Sequence, residues 1–144
     1  MIRTWQLAFS IFLTLWGLGA GAWAEPVVVV NVASAITRLS QDDVVNIFLG
    51  RYRRLPTGDT AIPIDQPENT AVRAEFYRKL VNKEPNEISA YWSRLLFSGK
   101  TAPPLQAVTG NDVVVLLAGQ PGGIGYMDRS QVDKRFRIVM EFSR

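Results

Sequence analysis

Four consecutive valines, Val27 to Val30, followed by Asn31 and Val32, constrain this chain more than any other segment. Side chains alternate between the two faces of a strand, so an unbroken β-branched run is at home only where both faces are covered. The run therefore predicts a central strand, and a central strand needs helices above and below it.

Helix signals follow at once. Ser40 and Asp43 stand at the spacing of a capping box, Leu39 and Val44 can form a hydrophobic staple, and Gly50 is placed to end the helix in the left-handed conformation. The loop Arg51-Tyr52-Arg53-Arg54 leads into the turn cluster Pro56-Thr57-Gly58-Asp59. Ala61 to Asp65 reads as a second strand, which Pro63 places at an edge or a bulge. A helix is expected from about Thr70 to Val81, with Val72, Phe76 and Leu80 in register. A third follows, capped by Asn86, its apolar face Ile88, Tyr91, Trp92, Leu95 and Leu96 and its stop Gly99. Tyr91, Trp92 and Phe97 are expected in the core rather than on a stacking surface. Thr109 and Asp112 repeat the capping-box spacing for a short helix from Val113 to Ala118, closed by Gly119. Pro121-Gly122-Gly123 then turns into Ile124 to Met127, and Phe136 to Phe142 suits a half-exposed last strand. The order β-α-β-α-α-α-β-β implies one α/β domain, a mixed sheet flanked by helices.

The segment before the valines is of another kind. Arg3, the apolar stretch Leu7 to Trp16, the glycines at 17, 19 and 21 and the sequence Ala22-Trp23-Ala24 have the layout of a secretory leader with an A-x-A cleavage site. Residues 1–24 are expected to be a signal peptide and residues 25–144 the mature domain, roughly 120 residues, a usual size for one folding unit. The mature protein would then be periplasmic and free of the membrane.

Composition narrows the chemistry. The chain has 16 Lys and Arg against 13 Asp and Glu, a net +3, too little to suggest nucleic acid as a partner. It contains no cysteine and no histidine, which removes disulfides, thiol nucleophiles, the usual general base and the commonest zinc ligands. No paired-carboxylate or metal motif is recognisable, so neither an enzyme nor a cofactor is expected, and the composition favours binding.

The junction from Asp65 to Arg73 is the best place for a ligand. Ligands of α/β sheets gather beyond the carboxyl ends of strands, and a helix start offers unpaired N–H groups to an anion. Asn69 or Thr70 can add a side-chain donor, Ala71 a backbone N–H, and Arg73 a charge one turn in. The same residues also describe an ordinary capped helix with Arg73 in solvent, and Glu68 could fill the N–H groups itself. Arg51 to Arg54 could be an acidic-partner patch or a solvated loop.

Taken together, Val45-Asn46-Ile47-Phe48-Leu49-Gly50, Ile62-Pro63-Ile64, the polar turn opening a helix with Phe76, Tyr91-Trp92 and Pro121-Gly122-Gly123-Ile124-Gly125-Tyr126 resemble the phosphate-binding proteins of ABC transporters. More closely, the chain resembles the short single-domain phosphate-binding-protein-like proteins of bacterial periplasms. The resemblance implies a single lobe of a type 2 periplasmic-binding-protein-like fold. It also implies phosphate or another small oxyanion as ligand, and an envelope or transporter protein as partner. In full-length members a Ser-Gly-Thr segment at the helix start, with an upstream Arg, holds phosphate. Here the corresponding stretch is Glu68-Asn69-Thr70, and of its residues only Thr70 keeps a hydroxyl. The other reading is a protein-interaction module that has lost the ligand.

Overall fold

The computed structural model describes residues 23–143. The first 22 residues of the expected leader lie outside the described residues. Five strands and four α-helices follow in the order β1 (Pro26–Asn31), α1 (Gln41–Phe48), β2 (Ile62–Asp65), α2 (Ala71–Val81), α3 (Pro85–Ser98), β3 (Leu105–Gln106), α4 (Gly110–Gly119), β4 (Gly123–Asp128) and β5 (Phe136–Glu141). A three-residue 3-10 turn, Arg129–Gln131, separates the last two strands.

The strands form one mixed sheet in the order β3-β2-β4-β1-β5. β1 is flanked on both sides by antiparallel neighbours, with Val28 opposite Tyr126 of β4 and Met140 of β5. β2 runs parallel to β3 and β4. The valine run is thus central and buried on both faces, as its composition requires. Val28 and Val30 face a core built with α1, α2 and α3, including Val44, Phe48, Phe76, Tyr77 and Trp92. Val27 and Val29 face a second core under α4, with Ile64, Val113, Leu117 and Met127. Every buried hydrophobic residue lies between Val27 and Met140, so the segment that starts at Glu25 carries the complete core of the described residues.

Local signals explain most element ends. Ser40 accepts from the Asp43 N–H while the Asp43 carboxylate accepts from the Ser40 N–H, and Thr109 and Asp112 repeat the arrangement at α4. Gly50 takes φ +73° after α1.

Several expectations need correction. The cap of α3 is Glu84, not Asn86: Glu84 and Glu87 close a capping box, and Pro85 occupies the first helical position, where its missing N–H costs no bond. Pro63 does not mark an edge strand. β2 has neighbours on both sides, but pairing with β3 begins only at Ile64, so the proline ring faces a side that carries no ladder yet. β3, two residues long, has no signal in the sequence. Phe97 is not core but 95% exposed, and Leu96 is exposed too. The reason is that α3 packs chiefly on α2 rather than on the sheet, so only a narrow strip headed by Ile88 and Trp92 is covered.

Candidate functional site

β2 ends in Asp65, and the chain turns through Gln66, Pro67, Glu68 and Asn69 into α2. The turn is closed by Asn69 in the left-handed region, φ 63°, which asparagine tolerates well among non-glycine residues. Thr70 is the N-cap, yet its hydroxyl does not cap the helix; it donates back to the Pro67 carbonyl at 2.8 Å. Ala74 makes the first helical bond, to the Thr70 carbonyl. No side chain caps the first turn of α2, which leaves the N–H groups of Ala71, Val72 and Arg73 without an intrahelical partner. Asn69 and Ala71 are exposed there, and so is Glu68, which makes no capping bond to the tip.

Beneath the tip lies a buried polar cluster centred on Asp65. Its Oδ2 accepts from Arg73 Nε at 3.1 Å and from the Tyr77 hydroxyl at 3.0 Å. Its Oδ1 accepts from the Gln66 N–H at 2.9 Å and from the Tyr126 hydroxyl. Gln66 Nε2 donates to the Tyr126 carbonyl at 2.7 Å, tying β2 to β4. Asp65, Gln66, Arg73, Tyr77 and Tyr126 are all buried. A buried carboxylate is tolerated only when its lone pairs are filled, and here four donors fill them.

The electrostatics follow from that closure. Burial alone would lower the pKa of Arg73, but the Asp65 charge, the hydrogen bond to Asp65 and the neighbouring Tyr77 and Tyr126 hydroxyls together outweigh it and hold the guanidinium above its ordinary value. Burial, reinforced by the Asp65 charge, pushes the Tyr77 and Tyr126 hydroxyls well above theirs. Arg73 also lies over the Tyr77 ring at 5.2 Å. Its charge is therefore matched inside the fold, not delivered to solvent.

Beside the tip a cleft of about 280 Å³ opens between α2, α3 and the segment entering β3, lined among others by Asp65, Glu68, Arg73, Ser89, Trp92 and Gln106. The indole N–H of Trp92 is buried and has no hydrogen-bond partner among the described residues. Among those residues no group of three or more Asp or Glu could hold a metal. What the arrangement offers chemically is a short row of backbone donors, a compensated ion pair below it and one free carboxylate, Glu68, at its side.

The four residues singled out in the sequence are gathered at this junction, with Asn69, Thr70 and Ala71 on the outside and Arg73 turned inward. Sequence reasoning missed the cluster beneath them. One signal was present: Arg73, Phe76, Tyr77 and Leu80 form an i, i+3, i+4, i+7 stripe, and an arginine heading such a stripe calls for a buried partner. The Arg51 to Arg54 loop is spent in part on its own neighbourhood, with Arg53 donating to the Lys100 carbonyl and Arg54 to the Gly58 carbonyl.

No protein-family profile and no curated protein matches the sequence. Solved structures do match its fold. A protein from Clostridium perfringens, given as a phosphate ABC transporter substrate-binding protein with bound phosphate, superposes with a TM-score of 0.65 at 13% identity, over 81% of this chain and 44% of that one. An ABC-type phosphate transport receptor from Vibrio cholerae gives 0.64 at 12% identity, over 83% and 49%. PstS from Borrelia burgdorferi gives 0.60 at 12%, over 81% and 46%. The chain spans less than half the length of each of these proteins. Its fold is that of one α/β lobe of a periplasmic-binding-protein-like structure, as the resemblance implied.

Proposed function

We propose that the protein is an exported oxyanion-binding module of the phosphate-carrier type, taking a small oxyanion such as phosphate on the backbone N–H groups that open α2. The observation that carries this reading is the unfilled first turn. α1, α3 and α4 each close their N-terminus with a reciprocal capping box, whereas α2 is left without a side-chain cap at the carboxyl end of β2. A helix start of that kind combines free donors with a positive partial charge. The fold shared with a phosphate-bound protein supports the same ligand class.

The balance of charge sets the strength. Arg73 is compensated by Asp65, and Glu68 stands exposed beside the tip. An ion held by N–H groups alone, open to water on one side, keeps most of its hydration, so binding is weak. Residues 1–24 act as the cleaved leader in this reading and the mature domain works in the periplasm; no described helix is long and apolar enough to cross a membrane.

The test is a nitrogen-proton correlation titration with sodium phosphate and sodium sulfate. Shifts confined to residues 69–73, saturating in the millimolar range, are expected, and Glu68→Gln should tighten them. Amides 71–73 that stay unmoved at about 50 mM of either salt, well above a millimolar dissociation constant, would remove the proposal.

A second reading, docking on an envelope or transport protein, is supported by apolar side chains left in water near the same cleft. Leu96 lines it, Phe97 follows on α3, and Leu105 and Val108 are exposed beyond it. Crosslinking from a photoreactive residue at position 96 to a protein of the exporting cell, lost on Phe97→Asp but not on Thr70→Asp, would favour docking over ion binding.

A further inference from the structure

The backbone N–H of Glu25 donates to Asp128 Oδ2 at 2.8 Å, across the end of β4. Its carbonyl accepts from the Arg129 N–H at 3.0 Å, and its carboxylate meets Arg129 Nε at 3.2 Å. Arg129 in turn reaches Glu141, at the end of β5, at 2.7 Å. Glu25 is thus fixed from three directions one residue ahead of β1, while Trp23, two residues earlier, is 89% exposed. The bond between Ala24 and Glu25 lies between a free side and a held side.

We propose that Asp128 is a binding site for a primary ammonium group, namely the N-terminus that peptide cleavage after Ala24 creates on Glu25. The inference rests on the exported reading above. The chemistry is simple hydrolysis: one water is consumed, the Ala24–Glu25 C–N bond breaks, Ala24 keeps the new carboxylate and Glu25 the new amine, which takes up a proton at neutral pH. The nitrogen that was a neutral donor at 2.8 Å from a carboxylate becomes a cation at the same place. A charge-assisted bond of this type is shorter and stronger than the neutral one it replaces. The surroundings favour the cation: Asp128 on β4, the Glu25 side chain and Glu141 on β5 are acidic, with Arg129 the base that pairs with Glu25 and Glu141. Asp128 is further held ready by Ser130, whose N–H and hydroxyl donate to its other oxygen at 3.0 and 2.6 Å. Hydrogen bonds from Ser130 and from the Glu25 N–H outweigh burial and keep the Asp128 carboxyl below its ordinary pKa. Processing then does more than release the domain; it completes an ion pair that ties the start of β1 to the end of β4.

The sign with pH follows. An amine whose pKa rises on folding adds stability that is fully present below its unfolded value, about 7.7–8.0, and is lost as pH rises through the folded value. The experiment compares the chain from Glu25 with a free amine, the same chain Nα-acetylated, and the chain with Ala24 retained, by thermal melting at pH 6 and pH 9.5. The free-amine form should melt about 2–4 °C above the acetylated one at pH 6, the gain should shrink at pH 9.5, and Asp128→Asn should abolish it. Should Asp128→Asn fail to fold, titration of the Glu25 amine by nuclear magnetic resonance in the unmutated domain decides, a pKa no higher than that of a free peptide overturning the proposal. Equal melting of free and acetylated forms, or a gain that survives Asp128→Asn, overturns it as well. The mass of the protein recovered from an exporting bacterium answers separately. Cleavage at another bond sinks the exported form described here without touching the amine measurement.

Discussion

Arg73 reaches back across the first turn of α2 to Asp65, the last residue of β2, and the two close an ion pair, Nε to Oδ2 at 3.1 Å, with each side chain only 6% exposed. The pair pins the helix to the strand end that precedes it. It also takes the one arginine at the candidate site out of play as an anion ligand.

Removing one partner leaves the other charged and dry. Asp65→Asn should therefore lower stability by about 3–5 kcal/mol, read from urea denaturation, while the double change Asp65→Asn with Arg73→Met should recover a large part. A single substitution costing under about 1 kcal/mol, the range of an exposed pair, would show that the cluster is open to water.

The same buried cluster governs behaviour at high pH. Burial first, and the Asp65 charge second, raise the Tyr77 and Tyr126 hydroxyls well above the ordinary phenol value. Above about pH 10 the unfolded chain sheds phenolic protons that the folded chain keeps, so stability present below that pH falls as pH rises further. Absorbance of phenolate should show a phase that appears only with unfolding, and Tyr77→Phe with Tyr126→Phe should remove it. Smooth ionisation of all four tyrosines before any loss of circular dichroism would contradict this.

Helix caps should divide into two kinds. Ser40→Ala breaks a working capping box and should cost about 1 kcal/mol. Thr70 has the same extended backbone, φ −93°, but spends its hydroxyl on Pro67. Thr70→Asp should accordingly stabilise by about 0.5–1 kcal/mol and at the same time erase any phosphate-induced shift of the 71–73 amides. Thermal melts and the titration read the two effects independently, and a destabilised Thr70→Asp would show the tip to be closed.

Gly50 and Gly58 both have positive φ, at 73° and 90°. A Cβ on Gly50 would sit 2.8 Å from Thr101 Oγ1 and from Trp92 Cη2, whereas one on Gly58 meets nothing within 4 Å. Gly58→Ala should cost about 1–2 kcal/mol for the left-handed backbone alone, and Gly50→Ala about 2–4 kcal/mol once crowding is added. Equal midpoints in denaturant would refute the crowding.

What the sequence disclosed was mostly local. The valine run, the boxes at Ser40 and Thr109 and the stop at Gly50 are written in neighbouring residues, and the structure keeps each of them. β3 escaped notice because two residues after Pro103-Pro104 carry no periodicity; only the strand beside them makes them a strand. The cap of α3 was misplaced because Asn86 is the favoured cap residue type, while Pro85 at the first helical position was the better clue. At the candidate site the junction itself was legible as a strand end followed by a helix start. The Asp65 cluster was not, since Tyr126 lies 61 residues away and nothing near Asp65 announces it. The inward turn of Arg73 depends on that distant partner, and so do the terms on which an anion could be held.

The placing of β1 between β4 and β5 has a consequence for how the molecule comes into being. Among the described residues β1 hydrogen-bonds only to β4 and β5, about a hundred residues further along. Until β4 and β5 have emerged, Val27 to Val30 have no described strand to join, and ring closure over some hundred residues must precede the reward of the central ladder. The central ladder is therefore built from contacts distant in sequence, the kind that slows folding.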